Sequence, residues 1–370
     1  MNNPNIIIIE DEKYREIKVQ VSYIIKEKEL TNIEMLSIEK MLIENALDKE
    51  LLSKLDFIYS SSITARAIIF EDIFEVSFQM KCINPKYLPI DGADVVKECL
   101  SIFKNKIENP YISLDFVKSI KEELLKEENI DVEGIIEVKK LNKEYIYNAY
   151  KRVLKEARGI LVIVGSSELE YIANSFKLSS KEDIYITREV RDIKELRYIE
   201  DSRSTLKQSR IYKRMYLENV EDYIKFSIYN NILDFKLSNI IREEKNLAYV
   251  VGSQIDKYMN LITFYAGIKK EDKQEVLDVF NSVIKEKITE DELSAAKLKI
   301  IEEYINISDD VDEMTRYVLD LAEYNLEIKT IDETIDKIKS LSKEDIFNMS
   351  KNMKEDLIIF IGGGVDEDLQ

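Results

Sequence analysis

An α+β fold built from two duplicated halves, each a mainly antiparallel sheet packed against helices, is predicted by three observations. First, 141–151 (LNKEYIYNAYK) and 341–351 (LSKEDIFNMSK) share six identities in eleven positions at an offset of 200. Second, both are followed by a short apolar run ending in glycine, ILVIVGS at 160–166 and LIIFIGG at 357–363. Third, 55–80 and 247–268 each read as two β-runs around a polar turn. A unit recurring in one order at nearly one offset points to an ancestral duplication. The 370 residues also suit two domains at roughly 100–200 residues each. The division is expected at 1–185 and 186–370, with the break between 170 and 205.

The elements follow in chain order. Ile17, Val19, Val21 and Tyr23 alternate with polar residues, the period of a strand with one apolar face. Thr31-x-x-Glu34, Thr289-x-x-Glu292, Thr330-x-x-Glu333 and Ser342-x-x-Asp345 are capping boxes and mark four helix starts. Behind Thr289, Leu293, Ala296, Ile300 and Tyr304 step by three or four, so that helix buries one stripe and exposes its charges. Strands paired through short turns, followed by runs of helices, favour antiparallel sheets over a βαβ array.

Composition excludes much chemistry. The chain has 54 basic and 72 acidic side chains, a net charge of −18, which disfavours nucleic acid and anionic lipid as partners. It has no histidine, which removes Ser-His-Asp, Cys-His and His-x-x-Glu-His sites. Cys82 and Cys99 lack metal-site spacing and read as reduced core thiols. The four isoleucines of MNNPNIIIIEDEK are too short a run for a signal peptide or membrane span, so cytoplasm is the expectation. Gly362-Gly363-Gly364 has no Lys-Ser/Thr and is read as a strand end. The acidic runs Asp309-Asp310 and Glu127-Glu128 lack the spacing of a calcium loop and read as solvated helix faces. Among 72 acids, no spacing singles out a paired-carboxylate site.

The segment 236–253, KLSNIIREEKNLAYVVGS, stands apart. It resembles the second-half signature of the M16 metallopeptidase family, the insulinase, pitrilysin and mitochondrial processing peptidase group. There a helix ends in Arg-Glu-x-x-x-Leu-Ala-Tyr and runs into a strand. The duplicated halves and the glycine-terminated strands extend the resemblance over essentially the whole chain and imply the M16 peptidase-like fold. It implies that Arg242 and Tyr249 are the pair that reaches a substrate peptide. A phenol can donate to the oxyanion of a tetrahedral intermediate, and a guanidinium can hold peptide carbonyls. Read from the residues alone, Arg242 is equally a surface helix residue and Tyr249 a core strand aromatic.

The departure from the family is as informative. Active members carry His-x-x-Glu-His on a first-half helix. The matching stretch reads Leu36-Ser37-Ile38-Glu39-Lys40, so Leu36 and Lys40 stand at the histidine positions and Glu39 retains the glutamate. The third zinc carboxylate is expected within Ser119 to Glu123. The resemblance therefore implies no cofactor in this chain and zinc in a partner. The function it implies is a non-catalytic subunit that pairs, as a heterodimer, with a zinc-bearing M16 paralogue to cleave a peptide or precursor leader. Two rival readings stand beside it: an inert scaffold or peptide-binding module, and an independent enzyme using carboxylates or a Tyr/Lys site.

Overall fold

The computed structural model describes residues 4–363 apart from 47–52, 57, 60, 89–94, 127–131, 179–180, 188–191, 204–205, 219–221 and 258. Glu127-Glu128 and Gly364 lie outside the described residues. By packing, the chain divides into one unit of 1–187 with 306–328 and a second of 188–305 with 329–370. A linear division at 185/186 does not anticipate that 306–328 packs with the first unit.

The first unit is built on strands β1 (Ile6–Glu10), β2 (Glu16–Lys26), β3 (Ser62–Phe70), β4 (Ile73–Ile83) and β5 (Arg158–Gly165). Around them run helices α1 (Asn32–Ala46), α2 (Val95–Glu108), α3 (Leu114–Leu124), α4 (Val132–Lys140), α5 (Lys143–Glu156) and α6 (Leu169–Asn174). The second unit carries β6 (Arg197–Arg203), β7 (Ser209–Leu217), α7 (Tyr223–Leu237), β8 (Ala248–Asp256), β9 (Leu261–Ile268), α8 (Lys273–Val283) and α9 (Glu290–Asp309) up to residue 305, the last turn of α9 being counted with the first unit. After α10 (Val311–Glu323), which belongs to the first unit, come α11 (Ile331–Ser340), α12 (Lys343–Phe347) and β10 (Met353–Gly363).

The strand orders are β1-β5-β2-β4-β3 and β6-β10-β7-β9-β8, one pattern written twice. The two halves are thus duplicates in topology. The equivalent hairpins β3–β4 and β8–β9 are the paired β-runs read from the sequence. The sheets are mixed rather than wholly antiparallel, because β1 pairs parallel to β5 and β6 parallel to β10. Each of these outer strands precedes its partner by a long stretch of chain, and only a long connection can join parallel neighbours. The helix of the repeat differs between copies: α5 spans 14 residues, whereas α12 has 5 and passes into a 3₁₀ turn at Asn348–Asn352.

All four capping boxes form. At Thr31, for example, the backbone N–H donates to Glu34 while the Glu34 N–H donates to the Thr31 hydroxyl, and Thr289, Thr330 and Ser342 repeat the exchange. Each box satisfies two orphan donors of a first turn.

Each unit has its own apolar core between sheet and helices. In β2 the alternating Ile17, Val19 and Val21 are fully buried against the helical layer. The opposite face is buried too: Lys18, Gln20 and Ser22 are all covered. Alternation predicts a solvated polar face, but α10 lies over it, packing on β2 and β5. Its buried stripe is Val311, Met314, Thr315, Val318, Leu319, Ala322 and Glu323, the spacing of one helix face. Polar groups trapped beneath must then pair with one another. Lys18 reaches Gln79 at 2.9 Å and Asp312 at 2.8 Å, and Ser22 donates to Glu75 at 2.8 Å.

Cys82 and Cys99 are free and buried. Among the described residues, no helix is long and apolar enough to cross a membrane.

Candidate functional site

The Arg/Tyr segment is the most irregular joint of the second unit. After α7 the chain widens into a π-helix, Ser238–Glu244. The Lys245 N–H reaches back to the Ile240 carbonyl at 3.0 Å, and the Leu247 N–H to Ile241 at 2.8 Å. Single π turns inside helices recur at functional sites. Asn246 then turns the backbone at φ 52°, a left-handed conformation that asparagine tolerates better than most residues.

Strand β8 starts directly afterwards, on the outer edge of the sheet. Its register slips at once: Ala248 faces Ile268, but Val250 faces Gly267. Tyr249 is therefore the extra residue of a β-bulge, a device that re-aims a side chain and is common beside active sites. The ring is 77% exposed, whereas Ala248 before it is buried. Tyr249 is consequently not a core aromatic. Arg242, in the last turn of the π-helix, is also solvent-facing, and its nearest ionic partner is its neighbour Glu243 at 3.4 Å.

Farther along, β8 is pinned to α7. The Asp234 carboxylate accepts the Ser253 N–H at 2.7 Å, and the Ser253 hydroxyl donates to the Asn230 carbonyl at 3.2 Å. Gly252 permits this approach, because a Cβ there would lie 2.7 Å from the Tyr265 hydroxyl and 2.8 Å from Asp234. The sequence reading missed this clamp; the Val-Val-Gly-Ser that follows the motif was its only sign.

In the first unit, Leu36, Glu39 and Lys40 lie on α1. Leu36 packs partly buried against the core, and Glu39 and Lys40 are half-buried. The Lys40 ammonium binds Glu123 of α3 at 2.6 Å. Sequence reasoning named Glu123 only as the end of a range, and the structure pairs it with Lys40, which the resemblance matches to the second histidine. A cation already sits against that carboxylate, and Leu36 offers no donor. The residues present therefore do not fit a zinc ion. Among the described residues, no group of three or more His, Cys, Asp or Glu side chains could hold a metal.

Comparison with known proteins agrees with this picture. Residues 140–301 match the family described as "Peptidase M16 inactive domain". The chain is 19% identical over 367 residues to the probable inactive metalloprotease YmfF of Bacillus subtilis (strain 168), with 84% of this chain and 83% of that protein covered. Its fold is similar to the crystal structure of a peptidase M16 inactive domain from Pseudomonas fluorescens, with a TM-score of 0.69 at 14% identity, covering 100% of this chain and 99% of that one. It is also similar to the periplasmic protease PqqL from Escherichia coli, with a TM-score of 0.61 at 13% identity, covering 96% of this chain but 44% of that one. The duplicated mixed sheets and these matches make residues 140–301 similar to the inactive domain of M16 peptidases, and the fold as a whole similar to that of M16 peptidase structures.

Proposed function

We propose that this chain is the zinc-free subunit of a heterodimeric M16 peptidase and acts in the cytoplasm on a peptide or precursor leader. In this reading, a His-x-x-Glu-His paralogue supplies the metal and this chain supplies Arg242 and Tyr249. The observation that carries it is the exposure of Tyr249 on a β-bulge at the end of a π-helix; the lysine that the resemblance matches to a zinc ligand fits the same reading. A tyrosine kept for packing would be covered; this one is turned outward from an edge strand.

The coverage of PqqL supports a paired arrangement, since one chain there spans about twice this length. Bound zinc in the partner would polarise the scissile carbonyl. The residues of this chain act on the same peptide: the Tyr249 hydroxyl donates to the oxyanion as it forms, and the Arg242 guanidinium holds peptide carbonyls and orients the phenol. Donation to charge that appears only in the transition state lowers the barrier without tightening ground-state binding.

The test is reconstitution with the zinc-bearing paralogue. The pair should cleave a peptide that neither chain cleaves alone. Tyr249→Phe should lower kcat by roughly 10²- to 10³-fold with a smaller change in KM, and Arg242→Ala should raise KM as well. Gel filtration must show each variant complex intact. Wild-type kcat from an intact Tyr249→Phe complex would defeat this reading and leave the scaffold or peptide-binding module in its place.

A further inference from the structure

The face of the first sheet beneath α10 holds a buried carboxyl with an oxygen that has no hydrogen-bond partner. The α10 stripe ends on Glu323, a position that its spacing otherwise gives to apolar residues. Glu323 is 7% exposed, and its Oε1 is buried without a hydrogen-bond partner. Charged groups act on it from the sheet and from its own helix. Glu75 of β4, itself 4% exposed, faces it from the sheet and accepts from Ser22 of β2. Asp320 acts on it from its own helix, Arg66 from β3 and Arg158 from β5.

The two cations do not neutralise this cluster. Arg66 is 56% exposed and stands 4.0 Å from Glu75. Arg158 is committed to the Asn5 side chain at 2.9 Å and the Ile184 carbonyl at 3.2 Å, and Glu182 competes for its charge. Lys18 lies on the same face of β2 but is held at the far end of α10 by Asp312. Two ionised carboxylates facing one another in a covered site repel strongly, and burial penalises each charge separately.

We infer that Glu75 and Glu323 form a buried proton-binding site, and that a proton on Glu323 is what seats α10 against the first sheet. Burial, followed by the Glu75 and Asp320 charges, holds the Glu323 carboxyl well above the ordinary range. The stability tied to that proton is fully present below the unfolded value of about 4.3, and it is lost as pH rises toward the folded value. The consequence is local. The Glu323 backbone carbonyl also accepts the Ile186 N–H at 2.9 Å, so loosening the end of α10 releases the chain segment that leaves the first unit.

The experiment uses the full chain, wild type and Glu323→Gln, with thermal unfolding from about pH 5 to about pH 9 and hydrogen exchange read on 311–324. Within the titration window the ratio of the two unfolding constants should change by up to tenfold per pH unit. Glu323→Gln should be the more stable at the alkaline end, and its α10 amides should lose the extra pH-dependent opening seen in the wild type. Parallel pH curves for the two proteins would overturn the inference. A measurement on the wild type alone keeps it falsifiable if the variant does not fold. Isotope-edited infrared spectroscopy should detect a glutamic acid that stays protonated at a pH where an ordinary carboxyl is ionised, and that Glu75→Gln shifts to lower pH; its absence would also overturn the inference.

Discussion

If Leu36, Lys40 and Glu123 occupy the three lost ligand positions, then Leu36→His with Lys40→His should create a zinc site. The structural cost can be worked out. The Lys40–Glu123 pair at 2.6 Å is 28% and 60% exposed, so losing it removes about 0.2–1 kcal/mol. Leu36 is only partly buried, and replacing it with imidazole costs a further ~1–2 kcal/mol of apolar burial. The double variant without metal should therefore fold with a modest deficit. Zinc at about a hundred times its dissociation constant returns about 2.7 kcal/mol. For a unit of this size that is a rise of roughly 5–11 °C in Tm, at 2–4 °C per kcal/mol. The assay is thermal unfolding with zinc and with a chelator, together with elemental analysis after gel filtration. Adding Glu123→Gln should weaken zinc binding by at least about tenfold. A folded double variant that retains no zinc, or one indifferent to Glu123→Gln, would refute the alignment of α1 and α3 with the family's metal site.

Three further outcomes are expected. Tyr249→Ala should change stability by at most about 1 kcal/mol, because less than a quarter of the ring is covered; a loss above about 3 kcal/mol in denaturant unfolding would make it a structural residue. Gly252→Ala should cost roughly 1–3 kcal/mol and raise hydrogen exchange at Ser253, since the new Cβ would force apart Asp234 and Tyr265. Asp356, 1% exposed and bound by Arg214 at 2.5 Å and Arg197 at 2.9 Å, ties β6 and β7 to β10. Asp356→Ala should destabilise the chain by roughly 1–3 kcal/mol and open the β6 amides to exchange first.

What could be read in the sequence was local. Each capping box joins residues three apart, so hydroxyl and acid can be recognised without knowing what the helix packs on. The duplication was legible because order and offset survive where identity has faded. The cover over the polar face of β2 was not. Alternation reports which side chains share a face and says nothing of what covers that face, so the burial of Lys18, Gln20 and Ser22 is not legible in it. The helix responsible begins about 290 residues later in the chain, and its own stripe is unremarkable except for the glutamate at its end. The parallel pairing of β1 and β6 was hidden for the same reason, since a strand's partner is settled by tertiary contacts rather than by its own pattern. The Arg242 and Tyr249 motif was visible only through its family resemblance. The Lys40–Glu123 pair shows the limit from the other side: the sequence offered the range 119–123, and only the approach of α3 to α1 shows that Glu123 is the residue that meets Lys40.

The local backbone bears on whether Arg242 and Tyr249 are retained for use. Between Ser238 and Val250 the chain departs from regular geometry three times, by a π-helix, a left-handed residue and a bulge. A regular helix passing through a short turn into a regular strand would satisfy the same hydrogen bonds at less cost, and alternation would then direct the residue at 249 with its neighbours. Irregular backbone persists when the surrounding structure over-determines it, and such sites cluster where a side chain must be aimed. Here the over-determination is visible, in the wide bonds to Ile240 and Ile241 on one side of Tyr249 and in the Asp234–Ser253 clamp on the other. In the proposed alignment α1 shows the opposite treatment: the positions matched to metal ligands hold a leucine that packs and a lysine that pairs, both ordinary helix residues. On that alignment the metal-helix half is regular while the Arg/Tyr half keeps its irregular joint, an asymmetry that favours the proposed zinc-free subunit over an inert scaffold.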